Sequence, residues 1–441
     1  MYICPMGLMR SPQTVDAVFM KSISIQTMLD IRTGLTSYCA RVFEVLFVVS
    51  VLLAASLAQA GDKNAYDVHY HAEFLPADGE ALVTLKVRQD NGRLRELNFD
   101  APEQRFSDFH GSGSLLRDNS RIIWKVPAGG GQITYRVVVN QLRGNAHDAL
   151  ITGDWAVLRL DDLFPPARVR SVVGAYSRAS LMLSGPAGWS FETGYGRVDA
   201  AVAVVNADRR FVRPVGWLVA GELGVRRSKI AERRIVVAAP TGESFRRMDI
   251  LAFLNWTLPD LVARFPTFPD RLLVAGGNRD MWLGALSGPN SLYLHPDRPL
   301  ISENGTSTLL HELVHVAMGN PPAQGDDWIA EGLAEYYSLT VLRDSGGISQ
   351  RRFESALQKL AAWARRDNGR LADPSTGANT AFATLMFRDL DCELQAAGSG
   401  LDPLVAALFA DQEINRYRLQ DLVEKTLAGP STVLQRMMPV H

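Results

Sequence analysis

The spacing of apolar residues changes once along this 441-residue chain, near residue 234, and that change most limits how it can fold. Before residue 234, short apolar stretches are separated by Gly, Asn, Asp and Pro; after it, apolar residues recur every three or four positions. Short strands between turn residues are typical of an antiparallel sandwich, whereas the later spacing is that of amphipathic helices. The sequence therefore predicts an α+β protein in which the β structure comes first.

Four stretches before residue 234 are rich in β-branched and other apolar residues. The strands predicted there are Ala81–Val87, Ile122–Val126, Ile133–Val139 and Ala156–Leu160. Turn residues such as Gly129–Gly131 separate them, as expected between short antiparallel strands. We expect residues 61–234 to form an antiparallel β-sandwich domain.

The remaining residues, 235–441, combine a few strands with many helices. The strands predicted there are Ile235–Ala239, Arg271–Ala275 and Ser291–His295. The predicted helices are Glu243–Phe265, Thr306–Met318, Asp327–Arg343, Gln350–Arg366, Asn379–Gln395 and Leu401–Phe409. We expect this second domain to be mostly helical.

An export signal is predicted within residues 1–60. Arg41 precedes an apolar stretch, Val45–Ala58, which is shorter than the roughly 20 residues that a spanning helix needs. The small residues Ala58 and Ala60 then stand where a signal peptidase reads the chain. We expect cleavage after Ala60 and a periplasmic or secreted protein, attached to a membrane only if this segment is retained. Met20 and Met28 are alternative starts.

The overall composition excludes several classes of protein. The chain has 46 Lys and Arg against 47 Asp and Glu, without long basic runs, so no nucleic-acid partner is expected. Its three cysteines, Cys4, Cys39 and Cys392, form no Cys-x-x-Cys pair, which argues against a cysteine zinc site. We expect Cys392 to be a buried small apolar residue.

The residues with the clearest chemistry begin at His311. His311 and His315 are four apart, so a helix places their imidazoles on one face, one turn apart, where they can take two positions of a tetrahedral zinc. Glu312 follows the first histidine and is suited to act as general base toward a water that zinc makes acidic. The residues that favour the ends of this helix are Ser307 or Thr308 and Gly319.

A second predicted helix supplies a third metal ligand. Glu331 lies 16 residues after His315, and a short turn between antiparallel helices would bring its carboxylate to the histidine pair. Two histidines and a glutamate form the open three-ligand set of a catalytic zinc, with one zinc expected per chain. Glu335, one turn further, can accept a hydrogen bond from His311 and fix its tautomer, although a solvated helix charge remains an alternative. Asp326 or Asp327 can cap this helix.

Together these residues resemble a known family. The matching segments are His311-Glu312-Leu313-Val314-His315 and Trp328-x-x-Glu331-Gly332-x-x-Glu335-Tyr336. They are similar to the gluzincin metallopeptidases, above all to the membrane-alanyl and glycyl aminopeptidases. The resemblance implies a thermolysin-like catalytic domain after β-rich structure, zinc held by His311, His315 and Glu331, Glu312 as the catalytic glutamate, and a peptide or protein substrate.

The chain departs from this family where the substrate's amine would bind. Alanyl-type enzymes carry a Gly-Ala-Met-Glu-Asn segment whose glutamate holds the free amine, and Gly284–Gly288 is the corresponding stretch here. Ser287 stands in place of that glutamate, so capture of a free amine is not expected from this position. Ser291–His295 is either the edge strand that pairs with the substrate backbone or a plain structural strand.

A second departure concerns the residue that would stabilise the oxyanion. The family places a tyrosine near the start of a later helix, where this chain has Ala378 or Asn379. The Asn379 amide either donates a hydrogen bond or caps the helix. Tyr417 is a substitute donor or an ordinary surface tyrosine. Loss of one such donor typically lowers kcat by about a hundred- to a thousand-fold.

The sequence therefore favours an exported zinc peptidase that cleaves peptide bonds with a metal-activated water. An aminopeptidase is favoured by the resemblance and disfavoured by Ser287. The alternative is a degenerate peptidase-fold protein that binds zinc and a peptide or protein partner without efficient turnover. A structural sandwich protein with a chance histidine pair is the weakest reading.

Overall fold

In the first half of the chain, the strands Glu80–Arg88 and Gly130–Val138 alternate between buried and more exposed residues, as the sequence predicts. The computed structural model describes residues 63–206, 209–411 and 413–437, and those from Asn64 onward belong to a single compact unit, Asn64–His441. The predicted signal segment, Val45–Ala58, and the cleavage site after Ala60 lie outside the described residues. None of the helices in the described ranges has the length and apolar character that a membrane span requires.

Sixteen strands and one helical turn come before Leu223. The strands are β1 (Ala65–Leu75), β2 (Glu80–Arg88), β3 (Leu94–Asp100), β4 (Phe106–Gly111), β5 (Ser114–Asp118), β6 (Arg121–Lys125), β7 (Gly130–Val138), β8 (Gln141–Arg143), β9 (Ala146–Ile151), β10 (Trp155–Arg159), β11 (Ala167–Ser171), β12 (Tyr176–Ser184), β13 (Ser190–Thr193), β14 (Gly196–Arg197), β15 (Val202–Val204) and β16 (Trp217–Gly221). The helical turn is α1 (Leu160–Leu163).

Five strands and eight helices follow. The strands are β17 (Leu223–Ile230), β18 (Arg233–Pro240), β19 (Arg271–Ala275), β20 (Ala285–Gly288) and β21 (Ser291–Leu294). The helices are α2 (Arg247–Arg264), α3 (Thr308–Met318), α4 (Asp327–Asp344), α5 (Gln350–Arg366), α6 (Ala378–Ala396), α7 (Leu401–Ala410), α8 (Arg416–Leu427) and α9 (Thr432–Met437). The α+β prediction, antiparallel sheets first and helices last, is confirmed.

The strands form four sheets. The first has the order β15-β12-β1-β2-β7-β4, the second β14-β13-β16-β10-β9-β8, the third β11-β3-β6-β5 and the fourth β17-β18-β19-β21-β20. Pairing in the first three sheets is antiparallel except between β1 and β12, which run parallel. A parallel pair needs a crossover between its strands, and here more than a hundred residues separate the partners.

The second sheet lies between two hydrophobic cores. On β16, Leu218 and Ala220 belong to the core shared with the first and third sheets, whereas Trp217 and Val219 pack against the fourth sheet. Because both faces of β16 are covered, all five of its residues are buried instead of every second one. This burial explains why β16 carries no alternating pattern.

The fourth sheet joins the β half to the helices. On β18, Val236 and Ala238 face the second sheet, whereas Ile235 and Val237 face the helical core. The predicted domain boundary at residue 234 lies inside β18, and β17, which precedes it, pairs with β18 along its whole length. The sheet that supports the helices therefore begins before the sequence pattern becomes helical.

The sequence pattern missed parts of the C-terminal region. Helices α8 and α9 were not predicted, because both are short and half-exposed, with few buried residues to give a period. Cys392 lies exposed on α6, so the prediction that it is buried is wrong. The strand β20 was not predicted, because it has only four residues and ends in a glycine.

Candidate metal centre and cavity

The helix α3 carries the two histidines and has well-formed ends. Ser307 is its N-cap, and its hydroxyl accepts a hydrogen bond from the Leu310 N–H at 3.3 Å. Gly319 ends the helix at a positive φ of 74°, a conformation that glycine adopts without the strain a side chain causes. The helix packs its apolar residues into the core and leaves His311 and His315 only partly exposed.

His311, His315 and Glu331 converge on one point. The Nε2 atoms of the two histidines are 3.1 Å apart. The carboxylate of Glu331, on α4, lies 3.4 Å from the Nε2 of His311 and 3.3 Å from that of His315. Within the part of the chain that the structure describes, this is the one group of His, Cys, Asp or Glu that could hold a metal ion.

The spacing of these groups is close to that of the ligands of a tetrahedral ion. Zinc bonds nitrogen and carboxylate oxygen at about 2.0–2.1 Å, so ligand atoms at tetrahedral corners are about 3.3 Å apart. The two Nε2 atoms are 3.1 Å apart, and each lies at a similar distance from a different oxygen of Glu331, 3.4 Å from His311 to Oε2 and 3.3 Å from His315 to Oε1, so the three groups are close enough together to share one ion. Two imidazoles and one carboxylate are also a donor set that zinc commonly takes.

Glu335 supports the cluster from behind. Its carboxylate lies 3.2 Å from the Nδ1 of His311. When a metal is bound, a proton on Nδ1 donated to Glu335 leaves the Nε2 lone pair of His311 for the metal, which is the tautomer that a ligand needs. Without a metal, burial lowers the pKa of His311, but the hydrogen bonds to Glu331 and Glu335 outweigh burial and raise that pKa well above its usual value, so metal binding would release the Nε2 proton.

Glu331 is held as a carboxylate. Burial raises its pKa, but hydrogen bonds from His311 and His315 outweigh burial and lower the pKa far below its usual value. The next residue, Gly332, lets α4 lie close to α6, because a Cβ at this position would be 2.7 Å from the Cβ of Ala383. The close packing of α4 on α6 fixes the position of Glu331 relative to the histidines.

Glu312, which follows His311 on α3, is held by the backbone of β20. Its side chain is 7% exposed, and one carboxylate oxygen accepts a hydrogen bond from the backbone N–H of Ser287 at 2.7 Å. The other oxygen has no hydrogen bond to any residue that the structure describes. One oxygen is therefore anchored and the other is free to accept a proton. Sequence reasoning missed this contact, because a backbone donor leaves no signature in residue type.

One edge of the fourth sheet is β20, and the other is β17. Because β21 lies between β19 and β20, the edge-strand alternative for Ser291–His295 is wrong and the structural-strand alternative is confirmed. Residue types did not decide between them, because β20 and β21 are each only four residues long. The Ser287 N–H reaches Glu312, so it points away from β21 toward the open edge.

The β half of the molecule holds this edge in place. The backbone N–H of Trp217 donates to the Ser291 hydroxyl at 2.8 Å, and the indole N–H of Trp217 donates to the Leu286 carbonyl at 2.7 Å. Gly216 allows the close approach, because a Cβ there would lie 2.6 Å from the Pro289 carbonyl oxygen. The hairpin β20–β21 is thus fixed by a strand of another sheet.

A cavity of about 390 Å³ opens beside the cluster. The residues that line it come from the β20–β21 hairpin, the end of α3 and the following loop, and the start of α4: Leu286, Ser287, Gly288, Pro289, Glu312, His315, Val316, Met318, Gly319, Asn320, Pro321, Pro322, Asp327, Ala330 and Glu331. Its volume is in the range of small-molecule and peptide side-chain pockets. Asp327, considered from the sequence only as a helix cap, is one of its three carboxylates.

The two predicted oxyanion donors do not line this cavity. Tyr417, on α8, is 77% exposed. Asn379 lies in the first turn of α6, where its side-chain oxygen accepts a hydrogen bond from the Arg370 N–H at 3.0 Å. It does not cap that helix, because the N-cap residue is Gly377. Asn320 is the lining residue with a side-chain amide, and it was not predicted.

The order of sheets and helices is that of an aminopeptidase N-like fold. The chain is similar to a crystal structure of an aminopeptidase N family protein from Idiomarina loihiensis, with a TM-score of 0.58 and 15% sequence identity. The similarity covers 85% of this chain and 73% of that chain, and at this identity it establishes the fold. No protein-family model and no curated protein sequence matches the chain.

Proposed function

We propose that this protein is an exported, zinc-dependent peptidase, periplasmic or secreted, that hydrolyses peptide bonds in a peptide or protein substrate. The observation that carries the proposal is the convergence of the His311 and His315 Nε2 atoms and the Glu331 carboxylate, which together form a donor set that zinc commonly takes. Export rests on the signal pattern that ends at Ala60. The fold comparison favours an aminopeptidase within this class.

The residues around the cluster have distinct roles in this proposal. Zinc, when bound, supplies Lewis acidity that polarises the substrate carbonyl and makes water more acidic. Glu312 takes the proton from the attacking water on its free oxygen and delivers it to the leaving nitrogen. The Ser287 N–H holds the other oxygen of Glu312, and Glu335 holds His311 in the required tautomer.

Substrate would lie along the edge strand β20. The outward-facing backbone groups of Ser287 line the cavity, and those of Ala285 lie further along the same open edge, where an extended peptide can add to the sheet. The Ser287 N–H is engaged by Glu312, so its carbonyl and the backbone groups of Ala285 are those left for the substrate.

In a second candidate function, the protein binds the metal but does not hydrolyse peptides efficiently. The observation that favours it is the lining of the cavity, which contains no tyrosine. In this reading the chain binds zinc and a peptide or protein partner, and the missing oxyanion donor leaves hydrolysis slow.

The test combines metal content with turnover. We expect about one zinc per chain in the parent protein and in Glu312→Gln after dialysis, and clear loss of zinc in Glu331→Gln. We expect the parent to hydrolyse a mixture of short peptides and Glu312→Gln to be about a hundred-fold slower or more.

Three outcomes separate the candidates. Zinc with Glu312-dependent hydrolysis supports the peptidase. Zinc without hydrolysis supports the binding protein. A folded parent that retains no zinc contradicts both.

A further inference from the structure

The cavity beside the cluster is negatively charged. Its three ionisable carboxylates are Glu312, Asp327 and Glu331, and no lysine or arginine lines it. A bound dication offsets two of these three charges and leaves one. A ligand that brings a positive charge is therefore favoured over a neutral or anionic one.

Two of the carboxylates already have partners that fix their roles. Glu331 faces the two histidines, and Glu312 is anchored to the Ser287 N–H. Asp327 is the third and takes no part in either arrangement. It lies one helical turn before Glu331 on α4, so both side chains are on the same face of that helix and line the same cavity.

The Asp327 carboxylate is held in place by a hydrogen bond to one of its two oxygens. Its Oδ2 accepts a hydrogen bond from the Ser375 N–H at 2.7 Å. Over residues 63–437, apart from the few positions left undescribed, Ser375 is the only hydrogen-bond partner of this carboxylate. The side chain is half-buried, so its free oxygen can accept from a ligand without first giving up a partner in the protein.

We propose that Asp327 determines substrate specificity by binding a positively charged group of the substrate near the scissile bond, a proposal that rests on the peptidase function above. The charged group is an ammonium or guanidinium, and it belongs either to the free α-amine or to a lysine or arginine side chain. A charge-assisted hydrogen bond to a positioned carboxylate is about twice as strong as a neutral one. A substrate without the cation leaves that carboxylate unpaired, which is how a polar site rejects the wrong ligand.

Binding of three peptides tests the assignment. The probes are a short alanine-rich peptide with a free α-amine, the same peptide with its amine acetylated, and the acetylated peptide with lysine in first place. Binding is measured by calorimetry to the zinc-loaded Glu312→Gln protein, so that turnover does not consume the peptides. We expect one of the two cationic peptides to bind at least about tenfold more tightly than the neutral one.

Substitution at Asp327 should remove that preference. Asp327→Asn, in the Glu312→Gln background, keeps an oxygen for the Ser375 N–H and loses the charge, and we expect the cationic and neutral peptides to bind it equally. Asp249→Asn, an exposed carboxylate on α2, is the control for the loss of one negative charge and should keep the preference. Asp327→Ser is a second neutral variant, and zinc content and unfolding midpoint identify any variant that is damaged.

The outcomes distinguish this proposal from the peptidase function. A preference for the free amine, lost in both Asp327 variants, assigns the site to the α-amine; a preference for lysine assigns it to the side chain. The absence of any preference, or a preference that survives both variants, overturns the role of Asp327 even if the parent hydrolyses peptides. A preference found in a protein without turnover leaves Asp327 as the recognition residue and contradicts the peptidase proposal alone.

Discussion

The cavity has two walls that are built in different ways. The helical wall, from α3 and α4, contributes side chains whose positions follow from helix periodicity, as with His311 and His315 four residues apart. The strand wall, the β20–β21 hairpin, contributes backbone groups, and it is positioned by Trp217 of the second sheet. The geometry of the candidate metal centre therefore follows from nearby residues in the sequence. The positions of Glu312, the proposed base, and of β20, the proposed substrate-binding edge, depend instead on contacts between distant segments.

Substitutions in the two walls are expected to have different effects. Damage to the helical wall should reduce zinc binding, and damage to the strand wall should leave zinc in place and reduce turnover. The four predictions that follow test this separation, beginning with the largest expected effect.

The largest effect is expected from two buried tryptophans. Trp328, on α4, stacks on Phe387, and Trp124 lies in the core of the β-sandwich; each is at most 1% exposed. Replacing either with alanine should lower the free energy of unfolding by about 3–5 kcal/mol. Trp328→Ala should also weaken zinc binding about tenfold or more, because Glu331 is three residues away, whereas Trp124→Ala should not. Equal zinc affinity in the folded fractions of both variants would contradict the separation of the walls.

The next effect concerns one glycine on each wall. Gly332→Ala places a Cβ against Ala383 and should cost about 1–3 kcal/mol of stability and weaken zinc binding. Gly216→Ala, at φ +89°, places a Cβ against Pro289 and should keep zinc but raise KM. Gly188→Ala is the matched control, because it has φ +88° and no atom within 4 Å of its added Cβ. Unfolding midpoints, zinc titrations and kinetics distinguish the three variants. Loss of zinc in Gly216→Ala would contradict the separation of the two walls.

A smaller effect is expected from the Ser287 backbone. Ser287→Pro removes the N–H that anchors Glu312 but breaks no pairing with β21, because that N–H points to the open edge. We expect kcat to fall by about tenfold, which corresponds to one hydrogen bond to a charged group, with zinc content unchanged. Ser287→Ala keeps the N–H and should retain nearly full activity. If the two variants lose activity equally, the backbone contact does not position the base.

The sequence predicted the helical wall far better than the strand wall. His311, Glu312 and His315 lie on one helical turn, and Glu331 follows after a short connection, so spacing alone brought them together. The Ser287 N–H, the edge position of β20 and the Trp217 anchor depend on pairing between segments far apart in sequence, which local patterns do not specify. Asn379 was predicted from an approximate alignment with a family and Tyr417 as a substitute for the tyrosine missing there, and neither lines the cavity.

Residue types also gave wrong predictions where burial and tertiary contacts, not the local pattern, decided the structure. The strand β21 reads as an apolar stretch whether it lies at an edge or in the interior, and the position of β20 decides the question. Of the two caps predicted for α4, Asp327 is the first residue of the helix and Asp326 stands at the N-cap position, but the Asp326 carboxylate forms an ion pair with Arg416 and makes no capping hydrogen bond. The position of a strand in its sheet and the capping of a helix depend on tertiary contacts that the local sequence does not specify.

The smallest effect is expected in the pH dependence of stability, from a buried carboxyl group between the two halves. Glu192, on β13, is 2% exposed and contacts Arg227 of β17. Burial raises its pKa above 4.5 despite Arg227, so the folded state retains its proton to higher pH than the unfolded state. Stability of the parent relative to Glu192→Gln should therefore fall as pH rises from about 4.5 through the raised pKa and then level off.

A carboxylate in the helical half should show the opposite sign. Burial raises the pKa of Asp344, but the hydrogen bond from Arg343 and the charge of Arg264 outweigh burial and lower it. Stability of the parent relative to Asp344→Asn should therefore fall as pH drops below about 3.8. Unfolding free energies of the three proteins between pH 3 and pH 8 check both signs, and a shared sign would contradict them.

The anchoring of the hairpin by Trp217 has a consequence for how the protein is made. Trp217 precedes its partner Ser291 by 74 residues, and Glu331 comes later still. Because the chain emerges N-terminus first, the segment that receives the hairpin emerges before the hairpin itself. The parts of the strand wall are therefore present before the third candidate metal ligand, so an unfinished chain carries both histidines without Glu331.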